Sequence, residues 1–382
     1  MVSKNRTRIL YYCQSLVGIG HLTASLQVIR ELLQHADVDL IYGGHDINIT
    51  IEHPGFRDLR LPTILIDEQT GELYDPSHQY SIEALWTIRA QNIDAFLSPP
   101  YDAAIIEFFP FGRRRFKNEI HALFHQLRIQ NSHIPIFSFV REVLVPEPLE
   151  AEQRMVQSVN DYIHTIFIRG DPNVICFDET FSLTPQIADK IYYLGYLGTK
   201  SPIDKPSRTA QILVSQGGGS IGKNLLEAAI KTAPLLPDYT FLIATGSFTT
   251  ASDFAHLNEL VSSENVKIVP FLQNFKQCLM ESALSISLGG DNTLIDVIST
   301  QTPGLAFPYP GNSEQDVRIQ KLSAHGFVHP ITVEDLNPER LLAKIQAALV
   351  RPYPKVEIAL NGAVNMSERI KAILADQPKS IS

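Results

Sequence analysis

QILVSQGGGSIGKNLLEAAIKTAP, residues 211–234, is the stretch of sequence that decides the fold. Gln211–Ser215 is a short apolar run with the length of a buried strand, and Leu225–Ala233 has the apolar spacing of a helix. The turn between them contains Gly217, Gly218, Gly219 and Gly222. A strand, a glycine-rich turn and a helix in this order can hold a phosphate. Glycines let the backbone approach the phosphate oxygens, and the N–H groups of the first helical turn point at the anion.

Two established motifs compete for this turn, and each lacks a required residue. Gly217, Gly219 and Gly222 satisfy the G-x-G-x-x-G of dinucleotide-binding folds, which also needs a carboxylate at the end of the next strand. That strand, about 240–244, is followed by Thr-Gly-Ser instead. Residues 217–223 spell G-x-x-x-x-G-K, but Asn224 stands where a P-loop needs a Ser or Thr for Mg²⁺. Both motifs are therefore disfavoured interpretations of this turn. Two others remain, a diphosphate site for a nucleotide sugar and a tight turn that binds nothing.

Bulk properties restrict the class of protein. At 382 residues the chain predicts two domains of roughly 150–200 residues. The net charge of −9 argues against nucleic acid as a partner. Cys13, Cys176 and Cys278 are isolated in sequence, which is typical of a reducing compartment. No apolar run approaches the roughly 18 residues of a membrane span. We therefore expect a cytoplasmic protein with at most peripheral membrane contact.

Apolar strands alternate with helices along the whole chain, which predicts an α/β fold with parallel sheets. The polar segment Gly198–Thr209 is the expected linker. We expect an N-terminal domain over residues 1–200, a C-terminal domain over 201–355, and a helix within 356–382 that packs back towards the first domain. The predicted strands of the first half are Arg8–Cys13, Val38–Tyr42, Leu61–Ile66, Ala103–Ile106, Ile134–Phe139 and Ile163–Ile168. Those of the second half lie near 211–215, 240–244, 266–269, 284–288 and 304–307.

A second glycine turn follows the predicted strand 284–288. Gly289 and Gly290 precede a helix that Asp291 or Asn292 could cap. Asp296 lies three residues after Thr293, on the same helical face, where its carboxylate could accept both hydroxyls of a ribose. A favourable charge near a helix N-terminus is the alternative role for Asp296. Further on, Asn312, Glu314 and Gln315 could bind sugar hydroxyls, or could be ordinary helix-start residues.

These elements resemble the second domain of GT-B glycosyltransferases, and most of all family 28, the MurG-like family. The family's glycine loop resembles Ser215–Ser220, and its Gly-x-x-Thr-x-x-Glu helix start resembles Gly290–Asp296, with Asp in place of Glu. Gln301 stands where the family has glycine, and Glu314-Gln315 resembles its sugar-binding pair. Val269–Phe271 resembles the segment that holds the nucleobase. In the first domain, Gly18-Ile19-Gly20-His21 is similar to the family's Gly-Gly-His turn.

The resemblance implies two Rossmann-like parallel-sheet domains that face a cleft, and a transferase for a nucleotide sugar, UDP-linked by expectation. The acceptor is unidentified, either lipid-linked or a small molecule. No cofactor and no metal are expected, because helix N-termini can stabilise the departing diphosphate. The only D-x-D, Asp37–Asp39, lies at a strand start, on the wrong end for the cleft. The expected donor residues are Ser215, Gln216, Gly217, Gly218, Gly219, Ser220, Phe271, Leu272, Gly289, Gly290, Asn292, Thr293, Asp296, Glu314 and Gln315.

A base should take the proton of the acceptor hydroxyl, and it should come from a strand end of the first domain. His21, Glu107 and Glu142 are the candidates, and His21 is favoured because it matches the family's histidine. Glu107 ends a buried strand, where its pKa could be raised, or else it forms a salt bridge with Arg113 or Arg114. Gly18, Gly20, Arg113 and Arg141 are expected on the acceptor side.

The basic and aromatic segment Phe108–Lys117 could contact an acidic acceptor or a membrane surface, or could be a core run followed by a solvated helix start. Three other functions remain open on sequence alone. A nucleotide-sugar 2-epimerase or hydrolase would turn over the donor without an acceptor, and a non-catalytic protein would bind the donor without turnover.

Overall fold

The computed structural model describes residues 6–16, 20–67, 70–98, 100–198, 208–217, 222–247 and 249–376. The chain divides into two compact units. The first contains Met1–Asp171, Cys176–Gly195 and Asn361–Ser382, and the second contains Pro172–Ile175 and Tyr196–Leu360. Most of the predicted linker, including residues 199–207, lies outside the described residues.

The first unit is built on a parallel sheet of seven strands in the order β3-β2-β1-β6-β7-β8-β9. Its strands are β1 (Thr7–Gln14), β2 (Ala36–Gly43), β3 (Phe56–Arg60), β6 (Ala103–Glu107), β7 (Ile136–Arg141), β8 (Thr165–Arg169) and β9 (Ile191–Tyr193), and a small antiparallel pair is formed by β4 (Leu65–Ile66) and β5 (Leu73–Tyr74). Its helices are α1 (Gly20–Leu32), α2 (Ile82–Phe96), α3 (Lys117–Gln130), α4 (Leu149–Tyr162) and the C-terminal α11 (Gly362–Asp376). In α11, Ser367 donates a hydrogen bond to the Glu31 carbonyl at 3.3 Å, which fixes this helix against the end of α1.

The second unit has a parallel sheet of six strands in the order β12-β11-β10-β13-β14-β15. Its strands are β10 (Thr209–Ser215), β11 (Thr240–Ala244), β12 (Val266–Val269), β13 (Ser282–Leu288), β14 (Gly304–Phe307) and β15 (His329–Pro330). Its helices are α5 (Lys223–Thr232), α6 (Ala251–Glu259), α7 (Phe275–Glu281), α8 (Asp291–Ser299), α9 (Ser313–Ala324) and α10 (Pro338–Leu349). Both units are thus Rossmann-like parallel-sheet domains, as the sequence predicted.

One predicted strand is wrong. Leu61–Ile66 was expected in the main sheet, but the strand beside β2 is β3, one segment earlier. Within 61–66 only Leu65 and Ile66 are extended, and they pair with β5 instead. The polar sequence of β3 concealed it, because an edge strand needs no continuous apolar run. Leu61 and Ile64 are nevertheless buried and contribute to the core from a connecting segment.

Strand order reverses at the centre of each sheet, and this decides where a ligand can bind. In the first unit β1 lies between β2 and β6, and in the second unit β10 lies between β11 and β13. The chain therefore leaves the central strand on one side and returns to it on the other. The crevice outside the carboxyl ends of such strands is where parallel α/β sheets bind ligands.

Candidate active site

Two glycine turns come together at the carboxyl edge of the second sheet. Gly217 follows β10 and has a φ of +76°, and Gly290 follows the neighbouring strand β13. A Cβ atom on either glycine would lie 4.0 Å from the Thr293 hydroxyl oxygen. Both backbones therefore approach one hydroxyl with no side chain of their own in between. Three further predicted donor residues, Gly218, Gly219 and Ser220, lie outside the described residues.

Helix α8 begins directly at this place, and its N-cap is Gly290. The expectation that Asp291 or Asn292 caps the helix is wrong, because the helix starts at Asp291 and the extended residue before it is Gly290, with φ −64° and ψ 135°. Glycine has no side chain with which to accept from the first turn, and no side-chain cap is formed here. The first turn of α8, which contains Asn292 and Thr293, is therefore suited to an anion.

Gly289 brings helix α9 close to the same turn. A Cβ on this glycine would lie 2.6 Å from Cδ1 of Ile319 and 3.1 Å from Cβ of Gln315, so only glycine allows this packing. Asn312 caps α9 by accepting from the Gln315 N–H at 3.1 Å. The Gln315 side-chain oxygen accepts from the Tyr309 N–H at 2.8 Å, which holds the side chain in place. Within the described part of the chain its amide nitrogen has no acceptor and can donate to a ligand, and the preceding Glu314 is buried.

Asp296 is a half-buried carboxylate on α8. Burial raises its pKa to about 6, although the charge of Lys276 opposes this. Among the described residues, the Asp296 side chain has no hydrogen-bond partner. Phe271 is 59% exposed and Leu272 is half-buried, so the segment after β12 offers an apolar surface to a ligand. The roles of these residues in ribose and base binding stay predictions.

The raised pKa of Asp296 predicts a measurable stability effect. Because the folded protein holds this proton more tightly than the unfolded chain, the unfolding free energy should fall as the pH rises from about 4 to about 6. Raising the pKa of Asp296 from 3.8 to about 6 changes the unfolding free energy by at most about 3 kcal/mol, and the partial exposure of the side chain reduces this change. We expect Asp296→Asn to stabilise the ligand-free protein by about 1–3 kcal/mol at pH 7 and to have no effect at pH 4.

Urea unfolding followed by circular dichroism at both pH values measures this difference. Asp253→Asn is the matched control, because Asp253 is a partly exposed carboxylate of the same unit whose ion pair with Lys223, at 2.7 Å, lowers its pKa, so its neutralisation should not stabilise the protein at pH 7. Equal stabilisation by Asp296→Asn at pH 4 and pH 7 would contradict a raised pKa of Asp296 in the folded protein.

Ser215 and Gln216 come directly before Gly217 in the chain. Both are buried at the end of β10. The Gln216 amide nitrogen donates to the Thr245 carbonyl oxygen and to the Thr249 hydroxyl, the latter at 3.0 Å. These bonds tie the segment after β11 to the glycine turn after β10. Their predicted contact with a donor molecule stays a prediction.

His21 and Glu107 meet at the corresponding edge of the first sheet. His21 lies in the first turn of α1, which Gly20 begins, and Glu107 is the last residue of β6. Nδ1 of His21 is 2.5 Å from Oε1 of Glu107. The His21 side chain is 14% exposed, whereas Glu107 is 3% exposed. A ligand can therefore reach the imidazole but not the carboxylate. Gly18, predicted on the acceptor side, lies outside the described residues.

Two arginines complete this cluster. Arg113 donates to Oε2 of Glu107 at 3.2 Å, and Arg141, at the end of β7, donates to Nε2 of His21 at 3.0 Å. The two guanidinium groups lie 5.4 and 5.0 Å from the ring centre of Phe108, and this ring also meets His21 edge-on at 5.4 Å. The structure thus brings together four of the residues predicted on this side.

The protonation states follow from burial and these partners. Burial and the charges of Arg113 and Arg141 lower the pKa of His21 to about 4, although Glu107 opposes this. The imidazole is neutral at pH 7, with its proton on Nδ1 and a lone pair on Nε2. Burial would raise the pKa of Glu107, but the contacts with His21 and Arg113 outweigh it and lower the pKa to about 2. Of the two alternatives for Glu107, the raised pKa is therefore wrong, and the salt bridge with Arg113 is present.

Glu142, the third predicted base, is fully buried after β7. A Cβ on Gly170 would lie 2.5 Å from its Cβ, so the neighbouring backbone crosses directly over this side chain. Its burial makes it less accessible to an acceptor than His21.

The segment Phe108–Lys117 is mostly internal. Phe108, Phe109, Phe111 and Phe116 are buried in the core. Arg113 faces Glu107, and Arg114 is paired with Glu147 at 2.8 Å. Arg115 and Lys117 are exposed, and contact of this surface with a membrane stays a prediction. Among the helices of the described ranges, none has the length and apolarity to cross a bilayer.

Both carboxylates of the D-x-D, Asp37 and Asp39, form ion pairs with arginines. Asp39 lies 2.7 Å from Arg8 and 2.5 Å from Arg57, and it accepts from the Tyr101 hydroxyl at 2.7 Å. Asp37 pairs with Arg6 at 3.0 Å. Across the residues that the structure covers, no three His, Cys, Asp or Glu side chains are grouped as metal ligands.

A known protein family matches most of the second unit and the start of helix α11. Residues 213–367 match the glycosyltransferase family 28 C-terminal domain. The chain carries a family 28 domain. This domain contains both glycine turns, Asp296 and Gln315.

The curated relatives agree with this. An uncharacterized glycosyltransferase of Methanopyrus kandleri is 21% identical over 240 residues, which are 58% of this chain and 65% of that protein. The UDP-N-acetylglucosamine--N-acetylmuramyl-(pentapeptide) pyrophosphoryl-undecaprenol N-acetylglucosamine transferase of Thermosipho africanus is 21% identical over 85% of this chain and 87% of its own length. Two uncharacterized glycosyltransferases of Methanosarcina mazei and Methanosarcina acetivorans align over 46% and 52% of their lengths. The chain thus spans about half to two thirds of the length of the first relatives.

Solved structures agree on the fold. The calicheamicin glycosyltransferase CalG4 has a TM-score of 0.59 at 14% identity, covering 97% of this chain and 94% of its own. MurG of Acinetobacter baumannii has a TM-score of 0.56 at 14% identity, covering 97% and 100%. The chain has the GT-B fold of these glycosyltransferases.

Proposed function

We propose that the protein is a glycosyltransferase that moves a sugar from a nucleoside diphosphate sugar to a hydroxyl group of an acceptor. The observation that carries the proposal is the joint approach of Gly217 and Gly290 to Thr293 at the uncapped start of α8, inside the family 28 domain. We assign the diphosphate to this place, the ribose to Asp296 and the sugar to Gln315. The donor in this proposal carries UDP, because relatives such as the Thermosipho africanus transferase are named for UDP-N-acetylglucosamine.

The reaction is a displacement at the anomeric carbon. The acceptor oxygen forms a bond to that carbon while the bond from the carbon to the diphosphate oxygen breaks, and the electron pair leaves with the diphosphate. The hydroxyl proton passes to Nε2 of His21, and Glu107, 2.5 Å from Nδ1, stabilises the imidazolium that forms. The first-turn N–H groups of α8 stabilise the charge on the leaving group, so the step needs no metal in this proposal.

The decisive experiment measures thermal stability with UDP, GDP, dTDP, ADP, ATP and NAD, each with EDTA and with Mg²⁺. A nucleotide at a hundred times its dissociation constant should add about 2.7 kcal/mol. We expect stabilisation by UDP in EDTA, lost in Asp296→Ala and kept in Asp253→Ala. Stabilisation only by ATP with Mg²⁺, or only by NAD, would contradict the proposed donor site.

A further inference from the structure

The nitrogen that should accept the proton is already occupied in the free protein. Since Nδ1 of His21 donates to Glu107, the lone pair lies on Nε2, and the Arg141 guanidinium donates to it at 3.0 Å. A hydroxyl cannot use the same lone pair while this bond exists. The bond joins residues that lie 120 positions apart, at the start of α1 and the end of β7.

This hydrogen bond is one that a better acceptor can replace. A neutral imidazole nitrogen offers a guanidinium one lone pair, whereas a carboxylate or phosphate accepts two parallel N–H bonds with charge assistance, which are roughly twice as strong. The Phe108 ring lies 5.0 Å from the guanidinium and supports it through a cation–π contact that does not depend on the bond to His21. The second arginine on this ring, Arg113, is held by Glu107 and adds positive charge at the same place.

We propose that Arg141 is a latch on the base, released by an anionic group of the acceptor. In the free enzyme Arg141 covers Nε2 of His21. An acceptor that carries a carboxylate or phosphate near its reactive hydroxyl draws the guanidinium away and presents the hydroxyl to Nε2. This inference rests on the proposed function for the proton transfer and defines its acceptor class as anionic. Arg141 acts as a positioning residue that restricts the reaction to such acceptors.

The latch also protects the donor. Water that enters without an acceptor finds Nε2 covered and carries no anionic group to release it. We therefore expect slow hydrolysis of the donor in the wild type. Arg141→Met keeps an unbranched side chain over Phe108 but has no N–H donor, so it should hydrolyse the donor faster while it loses discrimination between anionic and neutral acceptors.

The latch can be tested without knowledge of the acceptor. Diethyl pyrocarbonate modifies an imidazole nitrogen only where the lone pair is available, and peptide mass spectrometry gives the rate at His21, with the other histidines as internal references. The probes are inorganic phosphate and acetate, compared with chloride at equal ionic strength and pH 7. We expect either anion to raise the His21 rate about tenfold, the ratio that about 1.4 kcal/mol gives. In Arg141→Met the rate should be high already and insensitive to both anions.

Arg114→Met is the matched control, because Arg114 is exposed and pairs with Glu147, and it should respond as the wild type does. A response to phosphate alone or to acetate alone identifies the kind of anion that releases the latch. An unchanged His21 rate with both anions overturns the latch, also where Arg141→Met fails to fold, since the wild type alone then decides. Stabilisation by UDP measures the second unit, so failure of the latch and failure of the proposed function are distinguishable.

Discussion

Replacing His21 with alanine is expected to lower the turnover number by about 10²–10⁴-fold and to leave nucleoside diphosphate binding unchanged. The variant removes the only group of the cluster with a lone pair, a neutral state at pH 7 and an exposed edge. Glu107 keeps Arg113 at 3.2 Å, so the loss of His21 does not leave its charge unpaired. Turnover is measured as nucleoside diphosphate released at saturating donor, and binding by calorimetry.

His125→Ala, on the exposed side of α3, is the matched control and should keep wild-type turnover. Because the pKa of His21 is about 4 in the free protein, kcat/KM for the acceptor should be flat near neutral pH and should fall as the pH drops through about 4, where the base becomes protonated. Glu107→Gln keeps a hydrogen-bond acceptor for Nδ1 but no charge, so it should lose less activity than His21→Ala. Turnover within twofold of the wild type in His21→Ala would remove this residue from the mechanism.

The sequence was most informative where strands are buried on both faces. The central strands β10 and β13 each end in a buried, largely apolar segment, and their carboxyl ends could be located to within a residue. Since neighbouring parallel strands end at the same edge, the two glycine turns were expected together, and Gly217 and Gly290 do approach the same hydroxyl. The edge strand β3 was missed because three of its five side chains are exposed and its sequence is polar.

Electrostatics was predicted less well, because it depends on partners far away in sequence. The contact of Glu107 with Arg113, 6 positions along the chain, was among the alternatives, but its contact with His21, 86 positions away, was not predicted, and both lower the pKa of Glu107. The Arg141 contact with His21 had no sequence signal at all. Gln301 stands where the family has glycine. Its φ of +53° lies in the left-handed region, which explains why glycine is favoured at this position.

Replacing Arg89 with alanine is expected to destabilise the first unit by about 3–5 kcal/mol. Arg89 is fully buried, and its guanidinium forms a bidentate pair with Glu119 at 2.7 and 2.8 Å. It also donates to the Gln14 side-chain oxygen and the Pro62 carbonyl, each at 2.8 Å. Without the arginine, the carboxylate keeps only the Tyr12 hydroxyl at 2.5 Å, and the buried Gln14 oxygen and the partly buried Pro62 carbonyl lose this donor.

Trp86, the single tryptophan of the chain, lies on the same helix with its ring 5.7 Å from the Arg89 guanidinium, so its fluorescence reports unfolding of the first unit in urea. Arg128→Ala is the control, because Arg128 is exposed and its replacement should cost within about 1 kcal/mol.

The double variant Arg89→Leu/Glu119→Leu shows what causes the destabilisation. If the cost comes from the unpaired carboxylate, removing both charges should recover most of the stability. A double variant as unstable as Arg89→Ala would mean that Gln14 and Pro62, and not Glu119, depend on the arginine.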